Sequence, residues 1–166
     1  MGKLLVVGLM LLVSWRGGAQ EILTLKDVFR QMPDSLMPYL SENNRLDFID
    51  FLDSGMKAEV RNRLNGTSEM TALTDDSLSI RLSNALRMDI LLLTPVEMID
   101  SCRQVVCVVE TYGTDSLSLE SQTSFYTPQW KKICQMPHLS ALNQQRIARL
   151  EVQTILKKDD KILKKN

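Results

Sequence analysis

Apolar and polar residues recur along this chain with two periods, helical near its ends and close to two in its middle. Thr24 is placed to cap a short helical stretch through Met32, after which Pro33-Asp34-Ser35 interrupts the helix and restarts the chain. From Ser41, with Glu42 and Asn43 in the first turn, a second amphipathic helix is predicted to about Ser54. Leu46, Phe48, Ile49, Phe51 and Leu52 give it one broad apolar face, Asp47, Asp50 and Asp53 line the other, and Gly55 stops it.

From Met56 to Tyr126 the pattern shifts toward alternation. Asn65-Gly66, lying between Ala58–Leu64 and Glu69–Leu73, is a hairpin signal, while the spacing of four through Met56, Val60 and Leu64 leaves open a helix ending at Leu64. Ser77 to Ser83 sets Leu78, Ile80 and Leu82 on one face against Ser79 and Arg81 on the other, the pattern of a half-buried strand. Met88–Leu93, Gln104–Thr111 and Leu117–Tyr126 complete the set, with turns at Thr94-Pro95 and Gly113-Thr114-Asp115-Ser116. Val105 to Val109 is apolar on both faces, as in a strand covered on two sides or at an interface. Successive short strands with short loops imply an antiparallel β-meander of about four to six strands, with the N-terminal helices covering one face. The class predicted is α+β. A final helix, from about Leu142 to Lys157, carries Leu142, Ile147, Leu150 and Ile155 at helical spacing and fades into Lys157-Lys158-Asp159-Asp160-Lys161.

The first nineteen residues follow neither period. Lys3 gives a positive start, Leu4 to Trp15 is nearly all apolar, and Gly17-Gly18-Ala19 supplies the small residues of a signal-peptidase site. Twelve residues rise about 18 Å as a helix, short of the roughly 30 Å hydrocarbon layer, which favours a cleaved leader over a permanent anchor. The expected organisation is a signal peptide over 1–19, cut between Ala19 and Gln20, a single α+β domain over 20–130, and a helical, Lys-rich extension over 131–166. Export to the periplasm, with no transmembrane anchor after cleavage, follows from that reading. About 147 residues remain, enough for one domain with a real core.

A formal net charge of zero hides an asymmetry: Gln20–Pro128 carries nine basic and seventeen acidic residues, Gln129–Asn166 nine basic and three acidic. A basic end can meet nucleic acid, acidic polymers or a membrane surface. In an exported chain no nucleic-acid partner is expected, and a solvated Lys-rich helix end accounts for the charge. Three cysteines in an oxidising compartment invite a disulfide and leave one thiol over. Cys102 and Cys107 read as parts of one strand, five residues apart, on opposite faces and about 16 Å from each other. They cannot then bridge, Cys134 can reach only one of them, and Cys107, between two valines, reads as a small buried hydrophobe.

Candidate chemistry is sparse. Asp47, Asp50 and Asp53 recur every third residue and could present carboxylates for acid–base work or a hard cation, but the plain account is a solvated helix face. Asp75-Asp76 fits Asx-turn geometry. No Gly-rich phosphate loop, zinc-ligand spacing or nucleophile elbow occurs, and the single histidine, His138, sits in a Met-Pro-His-Leu loop. No catalytic, cofactor-binding or metal-ligating residue is therefore assigned, and no cofactor. Asp-Ser occurs five times, and Asp34-Ser35-Leu36, Asp76-Ser77-Leu78 and Asp115-Ser116-Leu117 run on into leucine. That triplet resembles the acceptor motif for O-glycosylation of exported Bacteroidetes proteins, which would make Ser35, Ser77 and Ser116 sugar sites. Turn punctuation before an apolar element is the plainer explanation. Asn65-Gly66-Thr67 also matches an N-glycosylation sequon.

Four runs occur in order: Phe29-Arg30-Gln31-Met32-Pro33-Asp34-Ser35-Leu36, Asn43-Asn44-Arg45-Leu46-Asp47-Phe48-Ile49-Asp50-Phe51, Ser68-Glu69-Met70-Thr71-Ala72-Leu73-Thr74-Asp75-Asp76 and Ser124-Phe125-Tyr126. Over residues 24 to 130 the chain thereby resembles an exported Bacteroidales family catalogued as a domain of unknown function. The resemblance implies a periplasmic or envelope setting and carries no activity, cofactor or catalytic residue. After Trp130 the resemblance stops.

The reading favoured is a non-enzymatic binding or interaction module with a protein or glycan partner in the cell envelope. The alternative is a small hydrolase or carbohydrate-active enzyme that uses Asp50, or Asp75 and Asp76, as a carboxylate pair. A third class, an envelope structural subunit, would associate through a sheet edge or the C-terminal helix.

Overall fold

Capping decides where the two N-terminal helices begin. In the computed structural model, which describes residues 22–114, 120–133 and 144–149, the Thr24 hydroxyl accepts from the Asp27 amide at 3.3 Å and opens α1, Leu25–Arg30. Leu25, Val28 and Phe29 form its buried stripe. After Pro33 the chain makes one 3₁₀ turn, Asp34–Leu36. Ser41 and Asn44 then form a reciprocal capping box that opens α2, Glu42–Asp53. At the far end Gly55 takes φ +67°. Its amide donates to the Leu52 carbonyl at 3.0 Å and the Met56 amide to the Phe51 carbonyl at 2.8 Å, the pair of bonds that closes a Schellman motif.

α2 buries a narrower apolar face than its periodicity predicts. Phe48 and Ile49 are fully buried, whereas Leu46, Phe51 and Leu52 are half-buried, and Arg45 takes the third buried place. A long arginine stem packs like a hydrocarbon as long as its head finds partners, and here Asp34 and the Met32 carbonyl supply them.

The middle of the chain is a six-stranded antiparallel meander in sequence order: β1 Glu59–Arg61, β2 Thr67–Leu73, β3 Ser77–Arg81, β4 Leu86–Leu93, β5 Val105–Tyr112 and β6 Glu120–Tyr126. The predicted hairpin over Asn65-Gly66 joins β1 to β2, in place of the rival helix. Its turn is a three-residue loop closed by the Asn62 amide donating to the Gly66 carbonyl at 2.9 Å, with Asn65 rather than Gly66 at positive φ, 61°. A bulge at Met70/Ala72 shifts the β2–β3 register by one residue, and Leu73 opposite Leu78 returns to the buried face.

Two apolar clusters cover the two faces of the sheet. On the first, Met70, Leu78, Ile80, Met88, Ile90, Val106 and Val108 pack with Leu25, Phe29, Phe48 and Ile49 from the helices. On the second, Leu91, Leu93, Val105, Cys107, Val109 and Phe125 pack with Ile133, Ile99 and Ile147. Central β5 therefore alternates between two cores, which is why Val105 to Val109 is apolar throughout. Residues 144–149 are helical, within the span predicted for the last helix, and Ile147 brings that segment to the second face.

Cys102 departs from its expected place. It lies outside β5, in a tight hairpin where the Ile99 and Cys102 amides donate to each other's carbonyls at 3.1 and 2.8 Å. Asp100 and Ser101 both take positive φ there, so this Asp-Ser pair of the sequence does mark a turn, one made without a glycine. Cys102 and Cys107 are both buried and not bridged to each other. The predicted signal peptide, Ser116, Cys134, His138 and most of the predicted final helix lie outside the described residues.

Candidate functional site

The second face of the sheet is apolar only over one half. On β1 to β3 and the first half of β4, the positions pointing to that face are charged or hydroxylated except Ala72, which the β2 bulge sets opposite Ser79. Alternation puts Glu59 and Arg61 there from β1, Glu69 from β2, Ser79 and Arg81 from β3, and Arg87 and Asp89 from β4. Thr111 and Ser121 continue the row across β5 and β6.

Register makes this belt a chain of contacts between opposed strands. Glu59 and Glu69 face each other directly, a like-charge pairing that destabilises on its own. Lys57 relieves it, bonded to Glu59 and 4.0 Å from Glu69. The Glu59 carboxylate, with Glu69 behind it, holds the Lys57 ammonium above the usual lysine range. Arg81, opposite Glu69 on the next strand, donates to its carboxylate at 2.5 Å. One residue pair further in, Asp89 is only 1 % exposed. Arg87, two positions earlier on the same face, grips it with a fork, Nε to Oδ2 at 2.8 Å and Nη2 to Oδ1 at 3.0 Å. The Ser79 hydroxyl, directly across the ladder, donates to the same carboxylate and accepts from Arg87 Nη2 at 3.2 Å. Thr111, opposite Arg87, meets Ser121 at 3.3 Å. A buried carboxylate persists only with charge and hydrogen bonds around it, and Asp89 has both.

A second polar knot lies on the helix side. Asp34 accepts from Arg45 Nη1 at 2.8 Å and from Arg63 Nη2 at 2.5 Å, joining the 3₁₀ turn, α2 and the β1–β2 loop. Those two guanidinium contacts, Arg45 first, hold the Asp34 carboxyl below the usual carboxylate range. Asn62, buried beside this knot, accepts from the Leu64 and Gly66 amides and donates to Ser68 and the Leu82 carbonyl.

The aspartates singled out in the sequence are dispersed by comparison. Asp47, Asp50 and Asp53 stay on the outer side of α2, where Asp53 pairs with Lys26. Asp75 and Asp76 are exposed on the β2–β3 turn, and the Asp76 carboxylate accepts from Thr74 and from Arg146 of the C-terminal helical segment. Of the Asp-Ser-Leu serines, Ser35 is exposed on the 3₁₀ turn, whereas the Ser77 hydroxyl is bonded to Thr74. Among the described residues, no group of three or more His, Cys, Asp or Glu side chains could hold a metal ion. No helix among them is long and apolar enough to cross a membrane. The belt itself escaped the sequence reading. Its signal was Arg87-x-Asp89 on a strand, which becomes a site only once β3 supplies Ser79 from the facing register position.

Fold and faces together define an α+β domain: a six-stranded antiparallel meander, helices on one side, and on the other a core shared with a charged belt. The chain belongs to the family described as Protein of unknown function (DUF3256), which matches residues 18–162. The match extends on both sides of the runs quoted above and past Trp130, so membership continues where the resemblance read from the sequence stopped. No curated protein matches. Among solved structures, the chain is similar to that of a domain of an uncharacterized protein from Porphyromonas gingivalis, with TM-score 0.54 and 24% identity, covering 70% of this chain and 59% of that one. The likeness is one of fold, and the chain spans under two thirds of that structure.

Proposed function

We propose that this chain is an exported periplasmic or envelope protein acting as a non-enzymatic interaction module, with the charged belt as the surface that meets a protein or glycan partner. The observation that carries this reading is the belt itself: acidic, basic and hydroxyl groups set in fixed register on rigid strands, with Asp89 locked by Arg87 and Ser79. Such a row offers a polar partner donors and acceptors whose positions are already paid for by the fold, and preorganisation of that kind lowers the cost of binding. Acidic groups on β1 and β2 beside basic groups on β3 and β4 give the row a polarity that favours recognition of one partner over others. The export half of the proposal rests on the apolar run Leu4–Trp15 and the small residues before Gln20.

The test is recovery of tagged protein from its own envelope fraction, beside a Lys57→Glu/Arg81→Glu variant. A partner held by the wild type and lost by a variant with unchanged circular dichroism supports the belt. A partner held equally by both sinks it. N-terminal sequencing of the same material should begin at Gln20, and intact Met1 on soluble cytosolic protein would overturn export.

A further inference from the structure

We infer that Asn65 is a site of spontaneous covalent modification, conversion to aspartate and isoaspartate, and that the fold sets its rate through the side chain of Asn62. The reaction needs an asparagine amide carbon and the backbone nitrogen of the next residue. Asn65 is exposed in the β1–β2 turn, and its follower, Gly66, has no side chain to crowd that nitrogen. Arg61 Nη2 donates to Asn65 Oδ1 at 3.3 Å, which draws electron density from the carbon to be attacked.

The nucleophile, by contrast, is held. The Gly66 N–H donates to Asn62 Oδ1 at 3.0 Å, and the Leu64 N–H donates to the same oxygen at 3.0 Å. Asn62 cannot swing away, because its Nδ2 is tied to the Ser68 hydroxyl at 3.0 Å and the Leu82 carbonyl at 3.2 Å inside the protein. An exposed electrophile thus sits beside a restrained nucleophile, and reaction waits on local opening of the turn.

When the turn opens, a solvent base takes the Gly66 amide proton and the nitrogen bonds to Asn65 Cγ. The Cγ–N bond of the side chain breaks and ammonia leaves. Water then opens the resulting succinimide at either carbonyl, yielding aspartate or isoaspartate with no change of oxidation state. Either product sets a new carboxylate beside Arg61. Isoaspartate also lengthens the main chain by one methylene inside a turn closed by the Asn62–Gly66 and Asn65–Asn62 backbone bonds, loosening the edge strand β1. This inference is independent of what the belt binds.

The test uses the whole protein in mildly alkaline buffer, folded and in denaturing urea, with peptide mapping by mass spectrometry and enzymatic isoaspartate detection. The expected result is modification at Asn65, slower in the folded chain by about tenfold or more, the factor that one held N–H can supply. A folded Asn62→Ala variant should lose most of that protection, and Gly66→Ala should suppress the reaction in urea. Equal rates in folded and unfolded chains, or no reaction at Asn65 in urea, overturns the inference. If Asn62→Ala does not fold, hydrogen exchange of the wild-type Gly66 amide decides: slow exchange supports the restraint and exchange at the rate of an open turn refutes it.

Discussion

Asn62 sits in the interior with both ends of its amide engaged, two backbone donors on its oxygen and two acceptors on its nitrogen. Truncation to alanine leaves those groups unpaired, so Asn62→Ala should lower unfolding free energy by about 1–3 kcal/mol in urea titrations. Asp89→Ala removes the buried half of a pair whose other half, Arg87, still reaches solvent. A loss of about 2 kcal/mol is expected, below the penalty for a wholly buried pair. Asp34 behaves differently because its effect depends on pH. Arg45 and Arg63 lower its proton affinity in the folded chain only, so the stabilisation is present above the unfolded carboxylate value and is lost as pH falls through the folded one. Asp34→Asn should therefore be less stable than wild type at neutral pH, with the gap closing below the ordinary value of 3.8. A gap that persists unchanged in acid would mean that the carboxylate charge is irrelevant. None of these three side chains was legible in the sequence, where each is one polar residue among many. Their partners lie up to 29 positions away, as Arg63 does from Asp34, and only packing brings them together.

Elements were read more accurately than the joints between them. Ser77–Ser83 and Met88–Leu93 needed only alternation or an apolar run, and β3 and β4 fall where predicted because one face, or both, is buried. Turns were placed correctly, but their backbone geometry was not readable. Asn65 rather than Gly66 took the left-handed position of the Asn-Gly pair, and the Asp100-Ser101 pair, marked by the sequence only as an element end, made a tight turn with both residues at positive φ. Trp130 is the sharpest case, a bulky residue at φ 63° whose indole N–H donates to the Val28 carbonyl at 2.8 Å. That bond ties the segment after β6 to α1 and makes the strained backbone worth keeping. Trp130→Phe keeps the ring but drops the donor, and should cost about 1 kcal/mol while leaving the circular dichroism intact. An unchanged melting temperature would deny the tether any role.

At the level of the whole molecule, the sheet is stabilised from two sides, and the second side depends on residues after Trp130. Ile133 and Ile147 pack on the Leu91, Val105 and Phe125 cluster, and Arg146 reaches Asp76. Placing a charge there should release the segment: Ile147→Asp is expected to cost about 1 kcal/mol and to speed proteolytic cleavage near residues 144–149. Cleavage at the wild-type rate would show that the segment contributes no cover.

Alternation, helical spacing and capping residues determined the elements, their order and the α+β class, because those signals act over a few residues and report directly which side of each element is dry. The tertiary structure alone decided that Arg45 and Asp89 would be buried, that Asn62 would hold the hairpin, and that the charged positions of four strands would line up as one belt. Register across a sheet joins side chains from separate strands, and burial of a polar residue depends on partners that packing brings to it, a condition no local pattern records.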